Sequence, residues 1–533
     1  MRALLMYRDR DFDADQLLQI VMSPYRRDVD RKHQLPPHEQ ALIQDLELDT
    51  LLHAMAGDDE FLLGVGKKAL LSGFQNDANT ILYRQKALLD CLNNPEVTWA
   101  LYDLTVQTID VSRKHSWGLS SHYPGSLLYN ALYLLESLSV MLRKLRDIAA
   151  AHTGRFASEA FTTLFAMLAR ELDDNYLATI QDYLRDLKFR RGVLLSAELG
   201  EWNESTNYVM RLVRGKDLNW FQRLLGRKLP GYTFELHERD VAGAQILGDI
   251  RHRAISRIAI ALAQSSDHVL NFFKTLRTEL AFYIGCLNLR DRLAARDEPL
   301  SFPIPEPPGA RIHSFRGLYD VCLSLQMDGR VVGNSADATG KSLVIVTGAN
   351  QGGKSCFLRS IGLALVMMQC GMFVGAEAFR AELCPALFTH YKREEDATMT
   401  SGKLDVELAR MSGIVDRLSP NSMLLFNESF AATNEREGSE IAKQVVRALL
   451  EKRVKIFYVT HLYEFARGFF QRNSVGAIFL RAERLADGTR TFKLLEGEPM
   501  ETNYGEDLYR QIFDLNGQFE NRQSNGGSST NIG

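Results

Sequence analysis

The stretch that decides the fold is Leu343-Val-Ile-Val-Thr, followed by Gly348-Ala-Asn-Gln-Gly-Gly353-Lys354-Ser355 and then by an apolar helix. The pattern GxxxxGK[ST] between a strand and a helix is typical of a phosphate-binding loop. Glycines let the backbone turn tightly, so that successive N–H groups point at phosphate oxygens beside the positive end of the helix dipole. We expect Lys354 to reach the β- and γ-phosphates of ATP. The predicted nucleotide site consists of Gly348, Asn350, Gly352, Gly353, Lys354, Ser355 and Cys356.

A second apolar strand, Met423-Leu-Leu-Phe, ends in Asn427 and Glu428. Phosphoryl transfer needs an oxygen ligand near Mg²⁺ and a group that orients the attacking water. We expect Glu428 to be the general base, and Ser355 and Asn427 to hold Mg²⁺, the latter through water. Because an amide oxygen carries no charge, Asn427 should hold the ion more weakly than the aspartate that is usual there.

Two further segments complete the predicted site. The strand Ile456-Phe-Tyr-Val-Thr ends in His461, which we expect to sense the γ-phosphate; a lone histidine is more often structural, but the order of the motifs favours this role. Thr400-Ser401-Gly402-Lys403 precedes an amphipathic helix predicted over 404–418, and the free N–H groups at a helix start suit an anion. A plain helix cap explains the same residues, and spacing alone leaves both alternatives open.

The rest of the chain divides by composition. Residues 38–300 are mainly helical by pattern, and 242–295 forms one long helix or two. Residues 190–240 contain two short apolar runs and a third at 232–236, which predict a small β insertion. Prolines cluster at 299–308 and place a domain boundary there, because proline continues neither a helix nor a central strand. Beyond it, strands alternate with helices, an α/β pattern, up to a polar tail at 516–533 that is expected to be disordered.

The formal net charge of −3 excludes a polybasic chain, so contact with DNA requires a local basic patch. Basic groups neutralise phosphates, and the aromatic residues interleaved at 220–232 can stack on bases. A solvated helix face with core aromatics explains the same composition. The candidate DNA contacts are Arg211, Arg214, Lys216, Arg223, Arg227 and Lys228.

Other features of the sequence lead us to expect a cytoplasmic location. The six cysteines lack zinc-type spacing and are expected to be buried thiols in a reducing compartment. The N-terminus has no apolar segment of the signal-peptide kind. Residues 360–376 are uncharged, but they follow the phosphate loop directly and contain three glycines. We therefore predict a helix buried in the α/β core, and no membrane span.

The order of these motifs is that of ABC-type ATPases, and their details resemble the MutS family of DNA-repair proteins. GANQGGKS at 348–355 is similar to the GPNMGGKS loop of that family. The approach to Ser401 through 387–396, the segment 429–438 after Glu428, and Asn503-Tyr-Gly505 also resemble it. The resemblance is specific over 300–515 and weaker over 40–300, where Ile81-Leu-Tyr-Arg-Gln-Lys resembles part of the core helical domain.

The resemblance implies a multidomain fold. A helical core and lever region over 1–300, with the β insertion as a reduced clamp, precedes a P-loop ABC-type ATPase domain over 301–515. It implies a homodimer in which Ser401 of one subunit faces ATP on the other. The helices would act as levers through which ATP binding and hydrolysis close a clamp around mismatched, branched or distorted DNA. A repair partner protein is also expected.

Three departures from the family bear on this expectation. The 300 residues before the ATPase are too few for a mismatch-reading domain, a connector, a core and a full clamp. The mismatch-reading Phe-x-Glu motif has no counterpart other than Phe426-Asn-Glu428, which lies in a predicted strand. The aromatic residue that stacks on adenine in the family is replaced by aliphatic residues near Val331. The resemblance therefore does not extend to mismatch reading in this chain, and nucleotide affinity is expected to differ.

Two other functions fit the sequence. A nucleotide-gated scaffold that binds ATP and a protein partner with negligible turnover is favoured by Asn427, whereas Glu428 and His461 favour hydrolysis. An ABC-type ATPase acting on RNA or ribosomes is the third hypothesis.

Overall fold

A computed structural model of the chain describes residues 1–12, 37–115, 124–189, 194–201, 205–211, 237, 239–348, 351–393, 402–472, 476–485 and 489–500. The chain forms two compact units: Met1–Asp13 with Asp90–Leu280, and Ala14–Leu89 with Ala281–Gly533. Two of the three points at which the chain passes between the units, after Leu89 and after Leu280, fall inside helices. The domain boundary expected near residue 300 is a statement about which parts of the chain fold independently, and it stays a prediction. The predicted tail at 516–533 lies outside the described residues.

Helices dominate the described part of residues 37–294, as predicted. Several of them begin at a side chain that caps the first turn: Asp59 accepts hydrogen bonds from Phe61 N and Leu62 N, and Asp173 accepts one from Tyr176 N. The segment expected to form one or two helices is a single helix of 54 residues. The helices are α1 Pro37–Asp45, α2 Leu48–Ala56, α3 Glu60–Ser72, α4 Ala78–Asn93, α5 Pro95–His115, α6 Pro124–His152, α7 Glu159–Glu171, α8 Asp174–Asp186 and α9 Val241–Ala294.

The first unit has its own apolar core. Leu128 and Leu132 of α6 pack with Leu184 of α8 and Ile255 of α9. The stretch Gly125–Arg155 is long and apolar enough to cross a membrane by length and composition alone. Leu128 and Leu132 of this stretch belong to this core, and a single helix of this kind is weak evidence for a membrane span.

A two-stranded hairpin lies in the first unit between α8 and α9. Strand β1 (Leu194–Leu199) pairs antiparallel with β2 (Ser205–Arg211), which confirms a β element within 190–240. Its side chains are largely exposed, with Leu199 at 76%. The third strand predicted at 232–236 lies outside the described residues.

The second unit contains a six-stranded sheet in the order β12-β11-β6-β10-β9-β8. Strands β11, β6, β10, β9 and β8 run parallel, and β12 is antiparallel to β11. A four-stranded sheet has the order β3-β7-β4-β5. The strands are β3 Ile304–Glu306, β4 His313–Leu318, β5 Asn334–Asp337, β6 Leu343–Thr347, β7 Ala378–Glu382, β8 Leu387–Tyr391, β9 Met423–Asn427, β10 Lys455–Val459, β11 Ala477–Arg484 and β12 Arg490–Glu496.

Helices cover the faces of the six-stranded sheet. Every residue of β6, β8 and β10 is buried, as expected for parallel strands packed on both sides. The helices of this region are α10 Val321–Gln326, α11 Lys354–Cys370, α12 Lys403–Val415, α13 Glu435–Glu451 and α14 Tyr463–Gln471. A helical region thus precedes an α/β region, as the sequence predicts.

Helix α11 accounts for most of the uncharged stretch at 360–376. All of its residues from Phe357 to Cys370 are buried except Arg359, and Gly371 ends the helix in the left-handed conformation. The prediction of a buried core helix at this place is confirmed. Five of the six cysteines are also buried, Cys356 is half-buried, and all six are free thiols.

Candidate nucleotide-binding site

The carboxyl ends of β6, β10 and β9 lie side by side, because these three strands are neighbours and parallel. Residues that follow such strands meet at one edge of the sheet, where open α/β sheets bind their ligands. The glycine-rich loop (348–353) follows β6, Asn427 ends β9 with Glu428 directly after it, and His461 follows β10. The strand order therefore joins three segments that are far apart in the sequence.

The glycine-rich loop needs glycine at two described positions. Gly348 has φ of 115°, and a Cβ there would lie 2.9 Å from the backbone N of Ala482. Gly353 has φ of 84° and is the N-cap of α11. Side chains other than hydrogen are disfavoured in this conformation, so the loop depends on both glycines. Asn350 lies outside the described residues.

Lys354 lies at the start of α11 with its side chain turned into the loop. Its Nζ donates a hydrogen bond to the carbonyl oxygen of Gly348 at 2.6 Å, and the residue is only 4% exposed. Burial lowers the pKa of Lys354, while Glu428 acts in the opposite direction. A buried ammonium group beside backbone N–H groups at a helix N-terminus is suited to bind phosphate.

Ser355 and Asn427 form a pair of oxygen donors at the same edge. The Ser355 hydroxyl donates to Asn427 Oδ1 at 3.1 Å. Within the described residues, no group of three or more His, Cys, Asp or Glu side chains is placed to hold a metal ion. These two neutral oxygens fit Mg²⁺ when phosphate and water oxygens complete the coordination, since Mg²⁺ usually keeps several waters and binds few protein ligands. Cys356 lies next to them with a pKa raised by burial.

Glu428 and His461 form a pair across β9 and β10. His461 Nδ1 lies 3.3 Å from Glu428 Oε2, and the backbone N of Glu428 donates to Val459 O at 2.9 Å. The hydrogen bond with His461 lowers the pKa of Glu428, against the opposing effect of burial. The carboxylate is therefore ionised near neutral pH and can accept a proton from water.

The turn after Glu428 is held in an unusual conformation. Glu428 and Phe430 both have left-handed φ values, 53° and 62°. The backbone N of Phe430 donates to Glu407 Oε2 at 2.7 Å. A Cβ at Gly438 would lie 2.3 Å from the carbonyl oxygen of Phe430, so glycine is required there too.

Sequence reasoning missed Glu407 and Phe492. Glu407 is 6% exposed on the face of α12 that also buries Met411, and an acid at a core position of a helix was the available signal. Phe492 of β12 is 47% exposed, and its Cβ and ring edge lie 3.6 Å from where a Cβ of Gly353 would be. No spacing rule connects Phe492 to the loop, because β12 reaches it only through the sheet.

The remaining predicted site residues divide into two sets. Arg211 is described: it ends β2, is exposed, and its Nε donates to Ser196 Oγ at 3.0 Å. The predicted residues outside the described part of the chain are Ser401, Arg214, Lys216, Arg223, Arg227 and Lys228. Gly402 is the residue that immediately precedes α12.

Comparison with known proteins connects both parts of the chain to one family. Residues 76–296 match the MutS2 N-terminal domain, and residues 344–512 match MutS domain V. The second match contains the glycine-rich loop, Asn427, Glu428 and His461.

Individual relatives are similar over shorter lengths. A DNA mismatch repair protein MutS of Syntrophomonas wolfei is 34% identical over 23% of this chain and 14% of the relative. Another of Leptospira interrogans is 25% identical over 56% of this chain and 36% of the relative. The human MutS protein homolog 4 is 25% identical over 36% and 21%, respectively. The chain thus spans between 14% and 36% of the length of these relatives. Because the two domain matches together account for more than half of the 533 residues, the chain belongs to the MutS family.

Proposed function

We propose that this protein binds and hydrolyses ATP at the carboxyl edge of its six-stranded sheet, and that ATP state controls its binding to DNA. One observation carries the proposal: Lys354, the Ser355–Asn427 pair and the Glu428–His461 pair meet at the ends of three neighbouring strands. Together they supply the three parts that ATP hydrolysis requires: a phosphate-binding lysine, oxygen ligands for a metal ion and a general base.

Each residue has a role in this proposal. The glycine-rich loop and Lys354 bind the phosphates and hold the γ-phosphate in place. Ser355 and Asn427 supply the protein oxygens for Mg²⁺, which neutralises phosphate charge when bound. Glu428 orients a water molecule and accepts its proton. His461 senses the γ-phosphate and, through its bond to Glu428, keeps that carboxylate ionised and in position.

Phe492 adds a surface for the nucleotide base. Its ring is half exposed beside the glycine-rich loop, and its backbone oxygen accepts a hydrogen bond from the side chain of Asn334. An exposed, anchored aromatic ring can stack on a base. We include this residue in the proposed site in place of the aliphatic residues near Val331.

The wider activity is proposed from the relatives. Several are named DNA mismatch repair proteins, so we propose that ATP hydrolysis is coupled to binding of mismatched, branched or distorted DNA. The same proposal includes a homodimer with Ser401 acting on the partner's nucleotide, a repair partner protein and a cytoplasmic location. The DNA contacts would come from Arg211 and the basic residues that follow it.

Steady-state ATP hydrolysis of the wild-type protein and of Glu428→Gln tests this function. We expect Glu428→Gln to lower kcat by about 10²- to 10⁴-fold, the usual contribution of a general base. Binding of ATP should be retained, because Lys354 and the loop are unchanged. Equal, near-zero rates for the two proteins would exclude hydrolysis at this site.

A second assay tests the coupling to DNA. Homoduplex, mismatched, junction and single-stranded DNA would be titrated with and without ATP at physiological salt. Preference for one distorted DNA, altered by ATP, is the expected result. Absence of binding to every DNA in both states would contradict the DNA part of the proposal.

The second candidate function is a nucleotide-gated scaffold with negligible turnover. The neutral side chain of Asn427 favours this candidate, because it should bind Mg²⁺ weakly. Weak binding of Mg²⁺ is expected to reduce the rate of hydrolysis more than the affinity for the nucleotide. Tight ATP binding without measurable turnover in the wild-type protein would support this candidate over the first.

A further inference from the structure

We propose that Glu407 of α12 is a positioning residue that holds the turn after β9 and thereby fixes the carboxylate of Glu428. This inference rests on the proposed function, because it assigns Glu428 the role of general base. Glu407 lies on a different element from Glu428 and does not need to touch the nucleotide.

The turn requires an external restraint. Glu428 and Phe430 both adopt left-handed backbone conformations, which are rare for residues other than glycine. Such conformations persist only where the surrounding structure fixes them, and they are frequent at functional sites. Ser429, between them, is fully buried, so solvent does not satisfy its polar groups.

Glu407 supplies this restraint directly through its side chain. Its Oε2 accepts the backbone N–H of Phe430 at 2.7 Å. Glu407 is 6% exposed, and burial raises the pKa of this carboxyl, while the N–H of Phe430 lowers it. A buried N–H that loses its acceptor is costly, so this bond has a strong influence on the backbone at Phe430.

A second link runs from the main chain of Glu407 to Ser429. His390 Nε2 lies 3.0 Å from the carbonyl oxygen of Glu407, and His390 Nδ1 lies 2.7 Å from Ser429 Oγ. Burial, followed by the charge of Arg410, lowers the pKa of His390 to about 4, so the ring is neutral near pH 7. Since a carbonyl oxygen can only accept, Nε2 carries the proton. The single hydroxyl hydrogen of Ser429 is then shared between His390 Nδ1 and the backbone oxygen of His390, which lies 2.5 Å from Ser429 Oγ.

The two links give Glu407 a role beyond packing. Both residues after Glu428 are tied to the same residue of α12, one through its carboxylate and the other through its carbonyl oxygen. Tyr458 of β10 donates to Ser429 O at 2.9 Å and anchors the turn from the sheet side. A displacement of the first turns of α12 would therefore move the backbone that carries Glu428.

The test compares Glu407→Ala, Glu407→Gln and the control Asp416→Ala, which removes an exposed acid at the far end of α12. We expect Glu407→Ala to lower kcat by about 10- to 100-fold, the effect of a small misplacement of a catalytic group, with KM for ATP nearly unchanged. Glu407→Gln should recover most of the loss, because its amide oxygen can still accept the N–H of Phe430. Asp416→Ala should behave as wild type.

A double variant tests whether Glu407 acts through Glu428. In single-turnover measurements, Glu407→Ala should add almost no loss in a Glu428→Gln background, since residues that act as a unit are not additive. Equal losses in both backgrounds, or an unchanged kcat in Glu407→Ala, would overturn the proposal. So would equal losses in Glu407→Ala and Glu407→Gln, because the acceptor oxygen would then be irrelevant.

A measurement without turnover separates this inference from the proposed function. Hydrogen–deuterium exchange of peptides spanning 426–433 should be faster in Glu407→Ala than in Asp416→Ala and wild type. Unchanged exchange would overturn the role of Glu407 even if the protein hydrolyses ATP. A wild-type protein without turnover would instead contradict the proposed function, and exchange alone would then decide whether Glu407 holds the turn.

Discussion

The carboxyl edge of the six-stranded sheet and the β1–β2 hairpin were both predicted to contact phosphate groups, and they present their side chains in different ways. At the sheet edge, Lys354 is 4% exposed and bonded to the loop that it follows. At the hairpin, Leu199 is 76% exposed, and the side chain of Arg211 donates to the hydroxyl of Ser196. A site that depends on a fixed backbone can be recognised in the sequence by residues at fixed spacing, whereas a charged surface can be recognised only by an excess of charged residues.

The largest expected effect concerns a second buried lysine of the second unit, which lacks a hydrogen bond of the kind that Lys354 makes at the sheet edge. Lys455, at the opposite end of β10, is 5% exposed, and its Nζ has no hydrogen-bond partner and lies 4.0 Å from Glu382 Oε1. Burial lowers the pKa of Lys455 from 10.5 to about 8. Between these values the unfolded chain binds more protons, so the free energy of unfolding rises with pH, by about 3 kcal/mol in all.

The variant Lys455→Met should remove this rise. Urea unfolding followed by circular dichroism at several pH values between 8 and 10.5 would measure it. Lys452→Met is the matched control, because Lys452 is exposed three residues earlier. The same slope of stability against pH in Lys455→Met and wild type would show that the lysine is charged in the folded protein.

A smaller effect is expected at Asn427, where the sheet edge lacks a charge. Asn427→Asp keeps an oxygen near Ser355 Oγ and adds a negative charge, so the affinity for Mg²⁺ in the presence of ATP should rise on the order of tenfold. Calorimetric titration of Mg²⁺ into the ATP-bound protein would measure this change. Nucleotide binding without Mg²⁺ is the control and should not improve. An unchanged Mg²⁺ midpoint would place the ion away from position 427.

The smallest effect is expected at the hairpin. If Arg211 contacts a DNA phosphate, Arg211→Ala should reduce the slope of log affinity against log salt by about 1, at similar loss for every DNA sequence. Fluorescence anisotropy at several salt concentrations would measure the slope. Arg472→Ala, which removes an exposed arginine at the end of α14, is the control. Identical slopes for Arg211→Ala and wild type would exclude a phosphate contact at Arg211.

The sequence predicted local secondary structure better than it predicted which elements pack against each other. The run from Leu343 to Ser355 specified strand, loop and helix, because glycines and apolar residues act within a few positions of each other. Residues 242–295 showed helical periodicity, but whether they form one helix or two depends on packing along the whole length. The interleaving of β10 between β6 and β9 follows from the sheet as a whole, and no residue pattern encodes it.

The residues missed by sequence reasoning are those whose role depends on such neighbours. Glu407 matters because the turn after β9 packs against α12, and Phe492 matters because β12 approaches Gly353 through β11 and β6. Local sequence therefore says least about residues whose role depends on elements that are distant in the chain. Ser401 and all six predicted DNA contacts remain predictions.

Gly438 has a consequence for natural variation in this chain. Replacing a glycine inside a helix by alanine ordinarily favours the helix. Here any heavier side chain would begin 2.3 Å from the carbonyl oxygen of Phe430, so the usual rule is reversed at this one position of α13. A missense change of Gly438 should be damaging whatever residue replaces it. Genetic screens of this gene would be expected to recover loss of function at position 438 without any change in the glycine-rich loop.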